Sequence, residues 1–254
     1  MKRKKQALQR MMGLFITVVF IKYTKCEIMH FQLSANRNKK YTVWYYFSFI
    51  FALIMGEELS KAERTRQFII EKAARVFNEK GFAGTSLHDL TEVTGLTKGS
   101  IYGNFENKDE VALAVFDFNF NRVTNYIKTR IVATENAIER LLVYPEVYRN
   151  YFRIPFLQTG CPILNTATEA DDTHPQLRRK AAEALSFWKR SVENQVKRGI
   201  ARGEINKETD PVVFAVILVS LIEGAFMQAK LTGRTAEMCI AMDYLEQMIR
   251  GIKG

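Results

Sequence analysis

From residue 60 onward the apolar positions recur at helical spacing, and no segment alternates in the way a half-buried strand requires. Ser60 with Glu63 three residues on has the form of a capping box. Phe68, Ile69, Ala73, Val76 and Phe77 then repeat on one face until Gly81 stops the helix. Thr85 is read as the cap of a second, short helix with Leu87, Leu90 and Val93 apolar. Gly95 makes a turn, and Thr97 caps a third helix carrying Ile101, Tyr102 and Phe105. Two short helices joined by a tight glycine turn form a helix-turn-helix, or equally a generic helical hairpin in an all-α core.

The later pattern is also helical. A long helix is expected from Asp109 to about Arg130, and another from Glu135 to Leu157, bent or broken near Pro145 and Pro155. A Gly160-Cys161-Pro162 turn follows. Thr173 is read as the cap of a helix that runs to about Arg202 and closes at Gly203. Asp210 caps Pro211–Leu231 with Pro211 in the first turn, Gly233 ends it, and Thr235–Ile252 is the last helix. The expected fold is all-α, an N-terminal three-helix head with a helix-turn-helix and a C-terminal helical body.

The stretch ERTRQFIIEKAARVFNEKGFAGTSLHDLTEVTGLTKGSIYGNFENKDEVALAVF closely resembles the DNA-binding domain of TetR/AcrR-family transcriptional regulators. The matching features are Ala73-Ala74, Phe77, Gly81-Phe82, Thr85-Ser86, the run from Gly95 to Tyr102, Phe105 and Lys108. The resemblance implies a head at 60–108 and a regulatory and dimerisation body at 109–254. It implies DNA contacts at Thr85, Thr97, Lys98, Gly99, Ser100, Tyr102, Gly103, Asn104 and Lys108. Gly99 lets backbone approach closely, Ser100 serves base edges, and Lys98 serves a base or a phosphate. The threonines offer hydroxyls and helix N-terminal N–H groups to phosphates, and Lys108 resembles the family's phosphate clamp. The chain departs from the family at Gly103 and Asn104, where larger side chains are common. The stretch GEINKETDPVVFAVILVSLIEGAFMQAKL looks like the family's penultimate helix, and GCPILNTATEADDTHPQLRRKA resembles a stretch that recurs in one branch. The family pairs through its last two helices, which points to a homodimer interface at Leu218, Ile222, Phe226, Tyr244, Leu245 and Met248. Each of those faces also serves as intramolecular core. The partners implied are a double-stranded DNA operator, a second copy of the chain and a small-molecule inducer. A cytoplasmic repressor is the expected function.

Charge is distributed unevenly along the chain. The 254-residue chain carries a formal net charge of +10. Residues 1–54 hold ten of the 37 Lys and Arg but only Glu27 of the 27 acids, so the remaining 200 residues are nearly neutral. Within 57–108 eight basic side chains face eight acidic ones, so DNA binding rests on placement and not on bulk charge. Residues 1–54 contain two apolar runs, Met11–Ile21 and Tyr41–Met55, both shorter than the ~20 residues of a membrane helix. A signal peptide, a membrane anchor and upstream DNA read in frame are the three readings. We read 1–54 as a non-native or disordered extension with no membrane partner; the alternative is a membrane-tethered helical protein anchored by it.

Catalytic chemistry has no foothold. There is no glycine-rich phosphate loop, GxSxG or HExxH, and His30, His88 and His174 lie far apart. Neither an enzyme, a metal nor a cofactor is expected. Tyr144, Tyr148, Tyr151 and Phe152, with Trp188 on a facing helix, are candidates to line a small-molecule pocket. For any one of these rings, ordinary core is the simpler reading. Arg149 and Arg153 stand apart in that segment, so an apolar or aromatic inducer without strong charge is expected.

Overall fold

The structure is a computed structural model that describes residues 60–254 except Asp171. The N-terminal readings of 1–54 therefore fall outside the described residues. Among the described residues there are nine α-helices and no strand. They are α1 (Lys61–Gly84), α2 (Leu87–Thr94), α3 (Lys98–Tyr102), α4 (Lys108–Val132), α5 (Ala137–Arg149), α6 (Pro162–Ala170), α7 (Pro175–Ala201), α8 (Pro211–Thr232) and α9 (Ala236–Gly251).

Local chemistry sets most boundaries. Ser60 Oγ accepts from Glu63 N and the Glu63 carboxylate accepts from Ser60 N, the reciprocal box that the sequence predicts. Thr97, Asn107, Asn136 and Asp210 each cap the helix that follows through a side-chain oxygen. Gly95, Gly203 and Gly233 take the left-handed conformation that closes helices.

Four expectations are corrected. Thr85 does not cap α2. Ser86 does, with Asp89 completing its box, because Thr85 is fully buried and its hydroxyl donates to Gly81 O at 2.6 Å. His174, not Thr173, caps α7: its Nδ1 accepts from Leu177 N, while the Thr173 hydroxyl donates back to Glu169 O. The helix expected to reach Leu157 passes through Pro145 and ends at Arg149; Asn150 closes it and a 3-10 turn, Tyr151–Arg153, follows. Finally, the segment after Gly160 is a helix, α6, with Pro162 at its start, where the missing N–H costs nothing.

α1, α2 and α3 form a head around Ile69, Ala73, Leu90, Ile101 and Phe105, all essentially inaccessible. α4 runs from that head into the body, burying Val111, Val115, Val123 and Ile127 at helical intervals. In the body, α7 packs against α4, α5, α6 and α8, and α9 packs on α5 and α8.

Candidate nucleic-acid interface and cavity

α3 is five residues long, and its inner face is Ile101 alone. Phe105 anchors the next turn and lies under the Arg66 guanidinium at 4.0 Å. Arg66, which sequence reasoning missed, also donates to Asn104 O and pairs with Glu110 at 2.6 Å. Two hydrogen bonds, from Glu106 N and from Arg66, hold the Glu110 carboxyl below the usual carboxylate range. This lock ties α1 to the start of α4 and to the backbone just after α3.

With the inner face anchored, Thr97, Lys98, Gly99 and Gly103 are exposed, and Ser100 and Tyr102 are half-buried. Lys98 makes no ion pair or hydrogen bond among the described residues. A Cβ on Gly99 would have a single neighbour within 4 Å, Thr97 Oγ1 at 4.0 Å. The fold itself therefore does not demand glycine there, and the space lies on the outer face.

Three predicted contacts are committed inside the protein. Thr85 is buried, so its hydroxyl cannot reach a phosphate. Asn104 Nδ2 donates to Ser100 O at 2.9 Å while its own carbonyl takes the Arg66 bond. Lys108 Nζ donates to Phe82 O and Thr85 O at 2.8 and 3.0 Å and lies over the Phe82 ring. An ammonium has three donors, so Lys108 keeps one free while tying α4 to the α1–α2 corner. Local sequence could not show these partners, because Lys108 reaches back 23 and 26 residues to find them.

That corner is also where head meets body. Gly81 has φ +72, which bends the last turn of α1. The bend exposes two N–H groups, Phe82 N and Ala83 N, which donate to the two oxygens of Glu169 at 2.7 and 2.6 Å. Asn165 on the same helix, α6, donates to Asn78 O at 2.9 Å, and Asn78 donates to Gly160 O at 3.0 Å. The buried His174 ring meets Phe82 edge-on at 4.5 Å, with Nε2 3.4 Å from Asp109.

The other end of α6 enters the wall of a cavity of about 700 Å³ through Cys161, Pro162 and Ile163. α4, α5 and α7 supply the rest. Tyr144, Tyr148 and Trp188 are in the wall as predicted, the two tyrosines stacked near the indole at 6.4 and 5.7 Å. Tyr151 and Phe152 are not. Tyr151 packs on Phe226 at 4.9 Å, and Phe152 is exposed, because the chain leaves α5 at Arg149 and turns away. The charge expectation changes too. Lys128, Arg140, Arg190, Arg198 and Arg202 line the cavity and no Asp or Glu does. The segment 144–156 holds none of these five: Lys128 is on α4, Arg140 on α5, Arg190 and Arg198 on α7, and Arg202 at the C-cap of α7. Among the described residues no three His, Cys, Asp or Glu side chains cluster as metal ligands would.

The predicted interface residues divide sharply. Leu218, Ile222, Phe226 and Leu245 are at most 2% exposed, so they are core of this chain and not a surface. Tyr244 is 60% exposed and Met248 half-buried. α8 is apolar all round, so its period does not say which face turns inward. The outward face carries Val213, Ile217, Met227 and Leu231, with Ile240 and Tyr244 on α9. α8 is long and apolar enough to cross a membrane, yet its buried half is explained by the core it packs on.

Comparison with known proteins agrees with this geometry. Residues 69–115 match a family model described as bacterial regulatory proteins, tetR family, and residues 137–245 match the tetracyclin repressor-like C-terminal domain. The structure of a TetR-family transcriptional regulator from Cytophaga hutchinsonii is 48% identical, with a TM-score of 0.74 over 78% of this chain and 98% of that one. A TetR regulator from Chloroflexus aurantiacus is 35% identical, with a TM-score of 0.73 over 77% and 98%. The HTH-type transcriptional repressor DhaR of Mycobacterium sp. (strain GP1) is 26% identical over 65% of this chain and 82% of its own. These relatives give no support to the membrane-tethered alternative. The helix-turn-helix with its outer face free, the helical body around a cavity and two relatives matched along nearly their whole length place the chain in the TetR family of bacterial transcriptional regulators.

Proposed function

We propose that the protein is a homodimeric, ligand-responsive repressor that reads a palindromic operator in the cytoplasm and has no catalytic role. Residues 60–108 are the DNA-binding head, and 109–254 the regulatory and dimerisation body. Thr97, Lys98, Gly99, Ser100, Tyr102 and Gly103 form the DNA-facing surface. Lys108 adds its third donor to a phosphate, and Thr85 and Asn104 position that surface from behind. Two copies join through the outward faces of α8 and α9 as an isologous pair. Their heads then fall on half-sites ~34 Å apart.

One observation carries the reading. α6 lines the cavity with Pro162 and Ile163 and grips the head with Glu169 at its far end. A ligand that shifts the cavity wall therefore moves a helix bonded to the α1–α2 corner, and head spacing changes with it. Ligand control follows because the two heads must fit successive grooves together.

The test is binding of labelled DNA taken from immediately upstream of the gene. Lys98→Ala is expected to weaken binding about tenfold and to lower the salt slope by about one counterion. Tyr102→Phe should weaken it by a few-fold, and both variants should elute as wild-type dimers. Wild-type affinity in both variants at matched salt would remove the DNA-binding role from this face.

A further inference from the structure

Four of the five cations on the cavity wall are unanswered. Lys128, Arg190, Arg198 and Arg202 are exposed, and none of their side chains forms an ion pair or a hydrogen bond among the described residues. The fifth, Arg140, spends two donors on one carbonyl, Thr134 O, at 3.3 and 3.4 Å. Lys180 and Lys197, on the same long helix but outside the cavity, each hold a carboxylate. Arg190 and Arg198 lie on α7 and Arg202 is its C-cap residue; at intervals of eight and four they fall on one side, with Arg198 and Arg202 one turn apart. The Arg198–Arg202 pair is a like-charge contact at i,i+4, placed at the C-terminal end of the helix, where a cation is favoured. No acidic side chain lines the cavity.

The inner wall has a different character. Val123, Ile127, Tyr144, Tyr148 and Trp188 are buried and apolar or aromatic. The cavity thus has an apolar floor and a cationic rim.

We infer that the inducer is an amphipathic anion, an apolar body ending in a carboxylate. This rests on the ligand-responsive reading above and names the ligand class for the same cavity. The body occupies the floor between Tyr148, Trp188 and Ile127. The carboxylate sits at the rim, where Arg190 and Arg198 reach it from α7 and Lys128 from α4. Guanidinium groups suit this task because they meet a carboxylate with two parallel N–H donors. A neutral ligand leaves the four free cations as they stand, and a cationic one adds a like charge to them.

Calorimetric titration of the full chain with decanoate, decan-1-ol and decyltrimethylammonium, each below its micelle concentration, varies the charge at constant chain length. Decanoate is expected to bind about tenfold more tightly than either of the others. The double variant Arg190→Gln/Arg198→Gln should remove that advantage and leave decan-1-ol binding as it was. Both side chains are exposed, so the variant keeps the fold, which its thermal unfolding midpoint verifies. Equal binding of all three compounds, binding of none, or undiminished decanoate affinity in the double variant overturns the proposal. Release of labelled upstream DNA is read in parallel. Decan-1-ol releasing DNA as well as decanoate does keeps the ligand-responsive reading and rejects the anion. Decanoate binding tightly without releasing DNA keeps the anion and rejects the ligand-responsive reading.

Discussion

Glu223 turns its carboxyl into the body from α8. Oε1 accepts the Cys161 Sγ–H at 2.9 Å, and Oε2 is buried with no partner. Burial raises its pKa to about 7 from an ordinary 4.5, and burial first, then the neighbouring carboxyl, keeps the Cys161 thiol well above its usual value. Cys161 is therefore a protonated structural thiol at neutral pH, as a cysteine in a Gly-Cys-Pro turn most simply reads. The consequence for stability has a definite sign. The unfolded carboxyl ionises near 4.5 and the folded one near 7, so the contribution is complete below 4.5 and is lost as pH rises to about 7. The loss is about 3 kcal/mol. Glu223→Gln keeps an acceptor for the thiol and has no proton to lose. Denaturant unfolding of the variant should show a flatter pH dependence between 5 and 7 and higher stability than the parent at pH 8. An unchanged slope would remove Glu223 as the origin.

α6 is the element on which the regulatory argument depends, and its hold on the head is built from backbone. The bend at Gly81 needs φ +72, and a Cβ there would sit 2.2 Å from Glu169 Oε2. Gly81→Ala should thus cost about 1–3 kcal/mol for a positive-φ, extended-ψ backbone that essentially only glycine adopts, and displace the carboxylate as well. Glu169→Ala leaves Phe82 N and Ala83 N without their charged acceptor, for about 1–3 kcal/mol. The two changes share a contact, so the double variant is expected to lose less than their sum. A thermodynamic cycle from urea unfolding measures this, and strict additivity would mean that Gly81 and Glu169 do not act on each other. In DNA-release assays Glu169→Ala should also blunt the ligand response while unliganded DNA binding persists.

At the scale of the whole molecule, α8 and α9 leave an apolar surface uncovered among the described residues. Ile217 is 42% exposed, Met227 49% and Leu231 79% along one side of α8, and Ile240 is 70% exposed on α9. Contiguous apolar surface of this kind marks association sites. Ile217→Lys places a charge in the middle of that face without touching the core of the chain. If the proposed pairing through α8 and α9 holds, the variant should sediment as a folded monomer where the parent sediments as a dimer, with far-ultraviolet dichroism unchanged. DNA binding should fall with it, because a single head holds only a half-site. A dimer that survives the substitution would place the interface elsewhere.

Much of this was legible along the chain because it is local. Capping boxes, proline starts and glycine stops act over three or four residues, so Ser60, Thr97, Asp210 and Gly233 announce their helices without help from the rest. The helix-turn-helix is equally local, and its string of residues from Gly95 to Lys108 can be read directly. What local reading misplaced depends on distance. α8 is apolar on every side, so no periodicity could say that Leu218, Ile222 and Phe226 turn inward while Ile217 and Met227 turn out; the packing of α7 and α9 chose. The cavity's charge was invisible in its aromatic segment because its cations arrive from three helices spread over some seventy residues. The partners of Lys108, Arg66 and Glu169 lie between 23 and 87 residues away. A side chain's role follows from what surrounds it in space, and only the folded chain brings those surroundings together.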